Sequence, residues 1–140
     1  MSGFKTPLKV ECLDDLSNDG RGIWKVLEPF EYYSDLLGKS VIVEAGFLTD
    51  FASVPRAPLT YYLFGDRAHK SAVIHDWLFH HHEFCDEATA NKVLLEAMEI
   101  EGISRFNRWS IYAGVRVGGK SGWDEDGAGN GHTIVDGRIV

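Results

Sequence analysis

The spacing of hydrophobic residues changes partway along this chain, and that change restricts its fold more than any other feature. The first 60 or so positions are rich in β-branched and aromatic residues between turn signals, which is typical of short strands. From Asp66 to Val117, apolar residues recur every three or four positions, which predicts helices. This order favours an α+β domain in which a small antiparallel sheet packs against three helices.

Turn sequences divide the first part of the chain into strands. Asn18-Asp19-Gly20 and Leu37-Gly38-Lys39 are typical of turns. The predicted strands are residues 8–13, 23–33 and 40–48. In the last of these, Val41 and Val43 alternate with Ile42, so the strand should bury one face.

Capping residues divide the middle of the chain into three helices. Asp66, Asp86 and Ser104 can each accept a hydrogen bond from a backbone N–H group in the first helical turn. The predicted helices extend from these caps to about His80, Glu101 and Val117. Arg116 lies among apolar residues of the third helix, so we expect it to be buried against a carboxylate or carbonyl partner.

The segment 119–140 is predicted to be a Gly-rich acidic arm that follows a single domain of residues 1–118. Asp136-Gly137 lies between two β-branched pairs and predicts a terminal hairpin. The acidic run beginning at Trp123 does not match a calcium loop, because the required Gly and acidic positions are out of register. A homo-oligomer, or contacts with neighbours in a virion, would form through this arm.

Composition excludes several classes of protein. The formal net charge is -7 and the basic residues are not clustered, so we expect no nucleic-acid partner. No basic segment precedes an apolar run and no apolar run is long enough to span a bilayer, so we expect neither a signal peptide nor membrane insertion. Cys12 and Cys85 follow no metal or redox spacing, which favours two reduced thiols.

The sequence FLTDFASVPR contains the first candidate site. Pro55 forces Val54 into an extended conformation, and the resulting bend presents Asp50, Ser53 and Arg56. These side chains can bind a ligand, with Arg56 as an anion clamp. They can equally well bond to nearby backbone groups and to each other.

The sequence HDWLFHHH supplies the second candidate site. His69, Asp76 and His80 share one stripe of the first predicted helix, and His75 lies on the adjacent edge. An Asp and a His one turn apart can bind one ion or exchange a proton, so a divalent metal held by Asp76, His80 and His69 is one interpretation. The terminal histidines can instead stabilise the C-terminal end of the helix dipole.

Three strings resemble a phage-associated family, domain of unknown function 1353, which is found mainly in tailed-phage and prophage genomes. They are GFLTDFASVPR, AVIHDWLF and RWSIYAGVRVGG. The family pattern falls on Gly46, Thr49, Asp50, Ala52, Ser53, Pro55, Arg56, His75, Asp76 and Arg116. This chain has Asn91 where members usually carry an acidic residue, and an Asn oxygen can still coordinate a hard cation. The resemblance implies a phage protein located in the host cytoplasm or in the virion.

The helical pair His75-Asp76 is also similar to that of secreted phospholipases A2. That similarity would make His75 a general base on water and Asp76 a calcium ligand. The glycine-rich calcium loop and the disulfides of those enzymes are not matched in this sequence.

Three functional hypotheses follow from the sequence. The first is a hydrolase, with or without a metal, that uses His75, Asp76 and Asp50 as catalytic residues. Its ligand-binding residues would be Arg56, Ser53 and Asn91. The second is a structural protein of the virion or tail, and the third is a host-directed protein that binds a ligand or a bacterial defence component.

Overall fold

The computed structural model describes residues 1–14, 23–49, 69–125, 134–135 and 138–139. Within these ranges the chain is an α+β protein, as the sequence predicted. The bend residues Asp50, Ser53, Pro55 and Arg56 lie outside the described residues, as does the predicted cap Asp66.

In the part of the chain that the structure describes, the strands of residues 3–49 form two small three-stranded sheets instead of the single sheet predicted from sequence. The strands are β1 (Gly3–Phe4), β2 (Val10–Asp14), β3 (Ile23–Val26), β4 (Phe30–Ser34), β5 (Lys39–Val43), β6 (Leu48–Thr49), β7 (Ile134–Val135) and β8 (Arg138–Ile139). The first sheet has the order β1-β4-β5 and the second the order β2-β3-β6. All pairings within them are antiparallel, and β7 pairs with β8 in a separate two-stranded ladder.

Two of the predicted strands were too long, because each divides between the two sheets. The predicted strand 23–33 becomes β3 and β4, separated by Leu27 to Pro29, and Pro29 cannot donate to a ladder. The predicted strand 40–48 ends in β5 at Val43. A turn then follows in which Gly46 has a φ of 95°, a conformation that glycine adopts readily.

Within the described residues, three helices follow the sheets: α1 (His69–His80), α2 (Glu87–Ile100) and α3 (Arg105–Glu125). The predicted caps of α2 and α3 are confirmed. Asp86 Oδ1 accepts from the Thr89 amide at 2.7 Å, and Ser104 Oγ accepts from the Asn107 amide at 3.3 Å. No helix within the described residues is long and apolar enough to cross a membrane.

The ends of α2 and α3 have different causes. After α2, Gly102 adopts a φ of 86°, and the Ile103 amide donates to the Met98 carbonyl at 3.0 Å, which closes the helix in a Schellman motif. Helix α3 continues to Glu125, so the start of the predicted Gly-rich arm is helical. Extending an existing helix requires less free energy than nucleating a new one, which offsets the weak helix propensity of glycine there.

The core lies between the first sheet and the first two helices. Its fully buried members include Phe30, Tyr32, Val41 and Val43 from the sheet and Ile74, Leu78, Leu94 and Met98 from the helices. At the edge of this core, Trp77 Nε1 of α1 donates to Glu44 Oε2 at 2.8 Å. The turn after β5 is thereby attached to α1.

A carboxylate inside this interface fixes α2 against the sheet. Glu96 Oε1 accepts from the Tyr32 hydroxyl at 2.6 Å and from Ser34 Oγ at 2.8 Å. Glu96 Oε2 accepts from the Leu36 amide at 3.1 Å. Burial and the neighbouring Glu96 carboxylate raise the pKa of Tyr32 above its ordinary value, so the hydroxyl stays protonated and remains a donor.

A second carboxylate fixes the first turn of α1. Glu101 Oε1 accepts from the Ser71 amide at 2.8 Å and also from Ser71 Oγ. An amide in the first helical turn has no partner inside the helix, and this distant carboxylate supplies an acceptor for it. Burial raises the pKa of Glu101 even though these hydrogen bonds act in the opposite direction.

We predict that Glu96→Ala lowers the free energy of unfolding by roughly 2 to 4 kcal/mol, because it leaves the buried Tyr32 and Ser34 hydroxyls without an acceptor. Urea denaturation of the variant and the wild type measures the difference. Glu99→Ala is the matched control, since Glu99 is exposed on the same helix. Equal effects of the two substitutions would contradict the role given to Glu96.

Candidate functional site

His75 lies in the interface between α1 and α2, away from solvent. Its Nε2 atom is 2.7 Å from Asn91 Oδ1, and both residues are only 3% exposed. Because an amide oxygen can only accept, Nε2 carries the proton and donates it. The ring of Phe79 packs against the imidazole with the ring centres 4.3 Å apart.

This environment fixes the charge of His75. Burial lowers its pKa to about 4, against the opposing effects of the Asn91 hydrogen bond and the negative charge of Asp76. The imidazole is therefore neutral at neutral pH. Its enclosure makes it better suited to holding α1 and α2 in register than to exchanging protons with a substrate.

Asp76 lies on a different side of α1 and faces His80. The Asp76 Oδ1 atom is 3.5 Å from His80 Nε2, and the side chains are 12% and 17% exposed. The second oxygen, Oδ2, is buried and has no hydrogen-bond partner among the described residues. The Phe47 ring, just before β6, meets the His80 ring edge-on at 5.9 Å between ring centres.

The helix brings together only two of the three predicted metal ligands. Asp76 and His80 are one turn apart, but His69 begins the helix and lies about 16 Å from His80 along the axis. Across the described ranges, no group of three His, Cys, Asp or Glu side chains is close enough to hold a metal ion.

The next histidine in the terminal run has a structural partner. His81 Nδ1 donates to the Trp77 carbonyl at 2.7 Å, and its ring stacks on the Trp77 indole at 3.8 Å between centres. A carbonyl in the last turn of a helix has no partner inside the helix. His81 therefore stabilises the end of α1 through this hydrogen bond and ring contact.

A cleft of about 730 Å³ opens beside Asn91, between α2 and α3. Its lining includes Asp86, Glu87, Asn91, Lys92, Tyr112 and Arg116. Lys92 and Tyr112 were not among the site residues predicted from the sequence. The available signal was the four-residue spacing of Tyr112 and Arg116, which places both on one face of α3.

Arg116 is exposed, so the prediction of a buried arginine is wrong. Its guanidinium lies over the Tyr112 ring, 5.6 Å from the ring centre. The long side chain reaches solvent along the aromatic ring because α3 presents this face to the cleft and not to the core.

The remaining predicted site residues follow β6 in the sequence. Asp50, Ser53 and Arg56 lie outside the described residues, which end at Thr49 on that side. Their approach to His75 or Asp76 stays a prediction.

We predict that stability depends on pH through His75. Its pKa is near 6.5 in the unfolded chain and about 4 in the fold, so between these values the unfolded state binds the extra proton. The free energy of unfolding that neutral His75 contributes is fully present above about pH 6.5. It is lost as the pH falls toward 4, and the loss is at most about 3 kcal/mol.

Denaturation curves from pH 7 to pH 4 for the wild type and His75→Gln test this dependence. The free energy of unfolding should fall more steeply in the wild type. Parallel curves for the two proteins would contradict the prediction.

Comparison with known proteins places the chain in a family. Residues 24–115 match the model of the family described as "Protein of unknown function (DUF1353)". The match includes His75, Asp76, His80, Asn91 and Tyr112 and ends next to Arg116. No curated protein and no solved structure matches the chain. Because the matched residues make up more than half of the sequence, the chain belongs to the DUF1353 family.

Proposed function

We propose that this protein is a small hydrolase of a tailed phage or prophage, with Asp76 and His80 as its acid–base pair. The observation that carries the proposal is the Asp76 carboxylate. One of its oxygens faces His80 at 3.5 Å, and the other is buried without a hydrogen-bond partner among the described residues.

A buried carboxylate oxygen without a partner is unfavourable. Leaving such a group unsatisfied costs roughly 1 to 3 kcal/mol, and more when it is charged. Folded proteins satisfy most of their buried polar atoms, so an exception requires an explanation. A water or a substrate that binds at Oδ2 during the reaction supplies one, since active sites commonly retain groups that reduce stability.

The position of His80 suits a general base. His80 takes a proton from water as the water oxygen bonds to a carbonyl carbon or phosphorus of the substrate. The resulting imidazolium is stabilised by Asp76 and by the C-terminal end of the α1 dipole. The same proton then passes to the leaving-group oxygen as its bond to the substrate breaks.

The remaining predicted residues take supporting roles in this proposal. His75 acts as a positioning residue, because it is buried and bonded to Asn91. Asp50 is proposed as a further catalytic carboxylate, and Ser53 and Arg56 as substrate-binding residues. These last three assignments rest on the sequence pattern alone.

The phage origin rests on the resemblance of the strings GFLTDFASVPR, AVIHDWLF and RWSIYAGVRVGG to phage-associated proteins. It implies action in the host cytoplasm or in the virion. Detection of the protein by mass spectrometry in purified particles, compared with infected-cell extract, separates these two locations.

A structural protein of the virion is the second candidate. The observation in its favour is the His75–Asn91 hydrogen bond, which is sealed between two helices in the manner of a polar contact that fixes packing. In that case the Asp76–His80 pair also belongs to the scaffold.

Substitution of the pair distinguishes an enzyme from a scaffold. For Asp76→Asn and His80→Gln, we predict that hydrolysis of p-nitrophenyl esters or phosphates falls by about 10²- to 10⁴-fold. We also expect melting temperatures equal to or above that of the wild type. The reason is that Asp76→Asn removes a buried charge that lacks a full set of partners.

Glu83→Gln is the matched control, because it makes the same change from carboxylate to amide at an exposed position after α1. It should leave both activity and melting unchanged. Lower melting temperatures for Asp76→Asn and His80→Gln, with no hydrolysis by the wild type, would favour the structural candidate.

Melting in the presence of metal ions distinguishes two forms of the hydrolase. The described residues supply two ligands, whereas a catalytic zinc site usually has three from the protein. We therefore predict no change in melting temperature with calcium, magnesium, manganese or zinc. A rise that grows with metal concentration and vanishes in Asp76→Asn would instead establish metal-assisted hydrolysis.

A further inference from the structure

We infer that the cleft between α2 and α3 binds a small molecule through a carboxylate or phosphate group of that molecule. Its volume of about 730 Å³ falls within the usual range of small-molecule sites, roughly 300 to 1,000 Å³. This inference does not rest on the proposed hydrolase, because the cleft residues do not include Asp76 or His80.

Arg116 is the main anion-binding group. It lines the cleft, and within the described part of the chain no carboxylate or carbonyl occupies its N–H groups. The Tyr112 ring lies beneath the guanidinium and restrains it without using those donors. A restrained guanidinium with free N–H groups matches the two oxygens of a carboxylate or phosphate.

Asn91 and Lys92 add donors on the opposite wall of the cleft. The Asn91 oxygen already accepts from His75, so the group that this amide can offer to a ligand is its NH₂, a donor. Lys92 is exposed and contributes a second positive charge.

Two acidic residues at the start of α2, Asp86 and Glu87, line the same cleft. Asp86 is occupied as the cap of α2, where its Oδ1 accepts from the Thr89 amide. That contact holds the pKa of Asp86 below its ordinary value. Glu87 lies one turn before Asn91, so its carboxylate favours a ligand that carries a hydrogen-bond donor besides its anionic group.

Titration of the full-length protein with inorganic phosphate and, separately, with acetate tests this inference. In ¹H–¹⁵N NMR spectra we expect saturable shifts of the Asn91 side-chain amide and of the Arg116 Nε–H signal. A shift with phosphate alone identifies a phosphate ligand, and a shift with acetate alone identifies a carboxylate ligand. Shifts with both identify a general oxyanion site.

Two arginine variants of α3 supply the matched comparison. Arg116→Gln should weaken binding by about tenfold, the loss expected for a charge-assisted hydrogen bond. Arg105→Gln removes the same charge from an exposed position of α3 outside the cleft and should bind as the wild type does. Both positions are exposed, so neither substitution should disturb folding.

The inference is overturned if neither anion gives saturable shifts at the cleft, or if the two arginine variants weaken binding equally. Asp76→Asn should bind the anion like the wild type. The inference of anion binding and the proposal of hydrolysis can therefore be contradicted independently of each other.

Discussion

The carboxylate of Glu96 joins helix α2 to the first sheet, and the candidate site and the cleft depend on that contact. It accepts from Tyr32 and Ser34 of β4 and from the Leu36 amide, so α2 cannot slide along the sheet without leaving buried donors unsatisfied. Once α2 is fixed, Asn91 is fixed about one and a half turns earlier on the same helix. Its amide then lies between α1 and the cleft.

Helix geometry separates two adjacent residues of α1 that were predicted from the sequence to be catalytic. Side chains of neighbouring helical residues diverge by about 100°, so His75 and Asp76 enter different environments. His75 enters the interface with α2, where burial keeps it neutral. Asp76 enters a partly open site beside His80 with one oxygen unpaired among the described residues. Burial thus separates His75 from solvent, whereas the Asp76 side chain is 12% exposed.

Asn91 connects the buried histidine to the cleft, and its chemical type has consequences for both. A carboxylate at this position would favour the charged imidazole and raise the pKa of His75. The amide instead accepts the His75 proton without adding charge, and it leaves N–H donors for the cleft. Together with Arg116 and Lys92, this makes the donor set more suitable for an anion than for a metal ion.

The sequence by itself determined the α+β class and most helix ends, because caps such as Asp86 and Ser104 act on amides three residues away. Tertiary structure alone decided where the long predicted strands divide, since a strand belongs to whichever distant segment it pairs with. It also decided that His75 bonds to Asn91, 16 residues away, and that Arg116 lies exposed over Tyr112. Local spacing specifies the face of a helix, but only packing against distant residues determines whether that face is buried or borders a cleft.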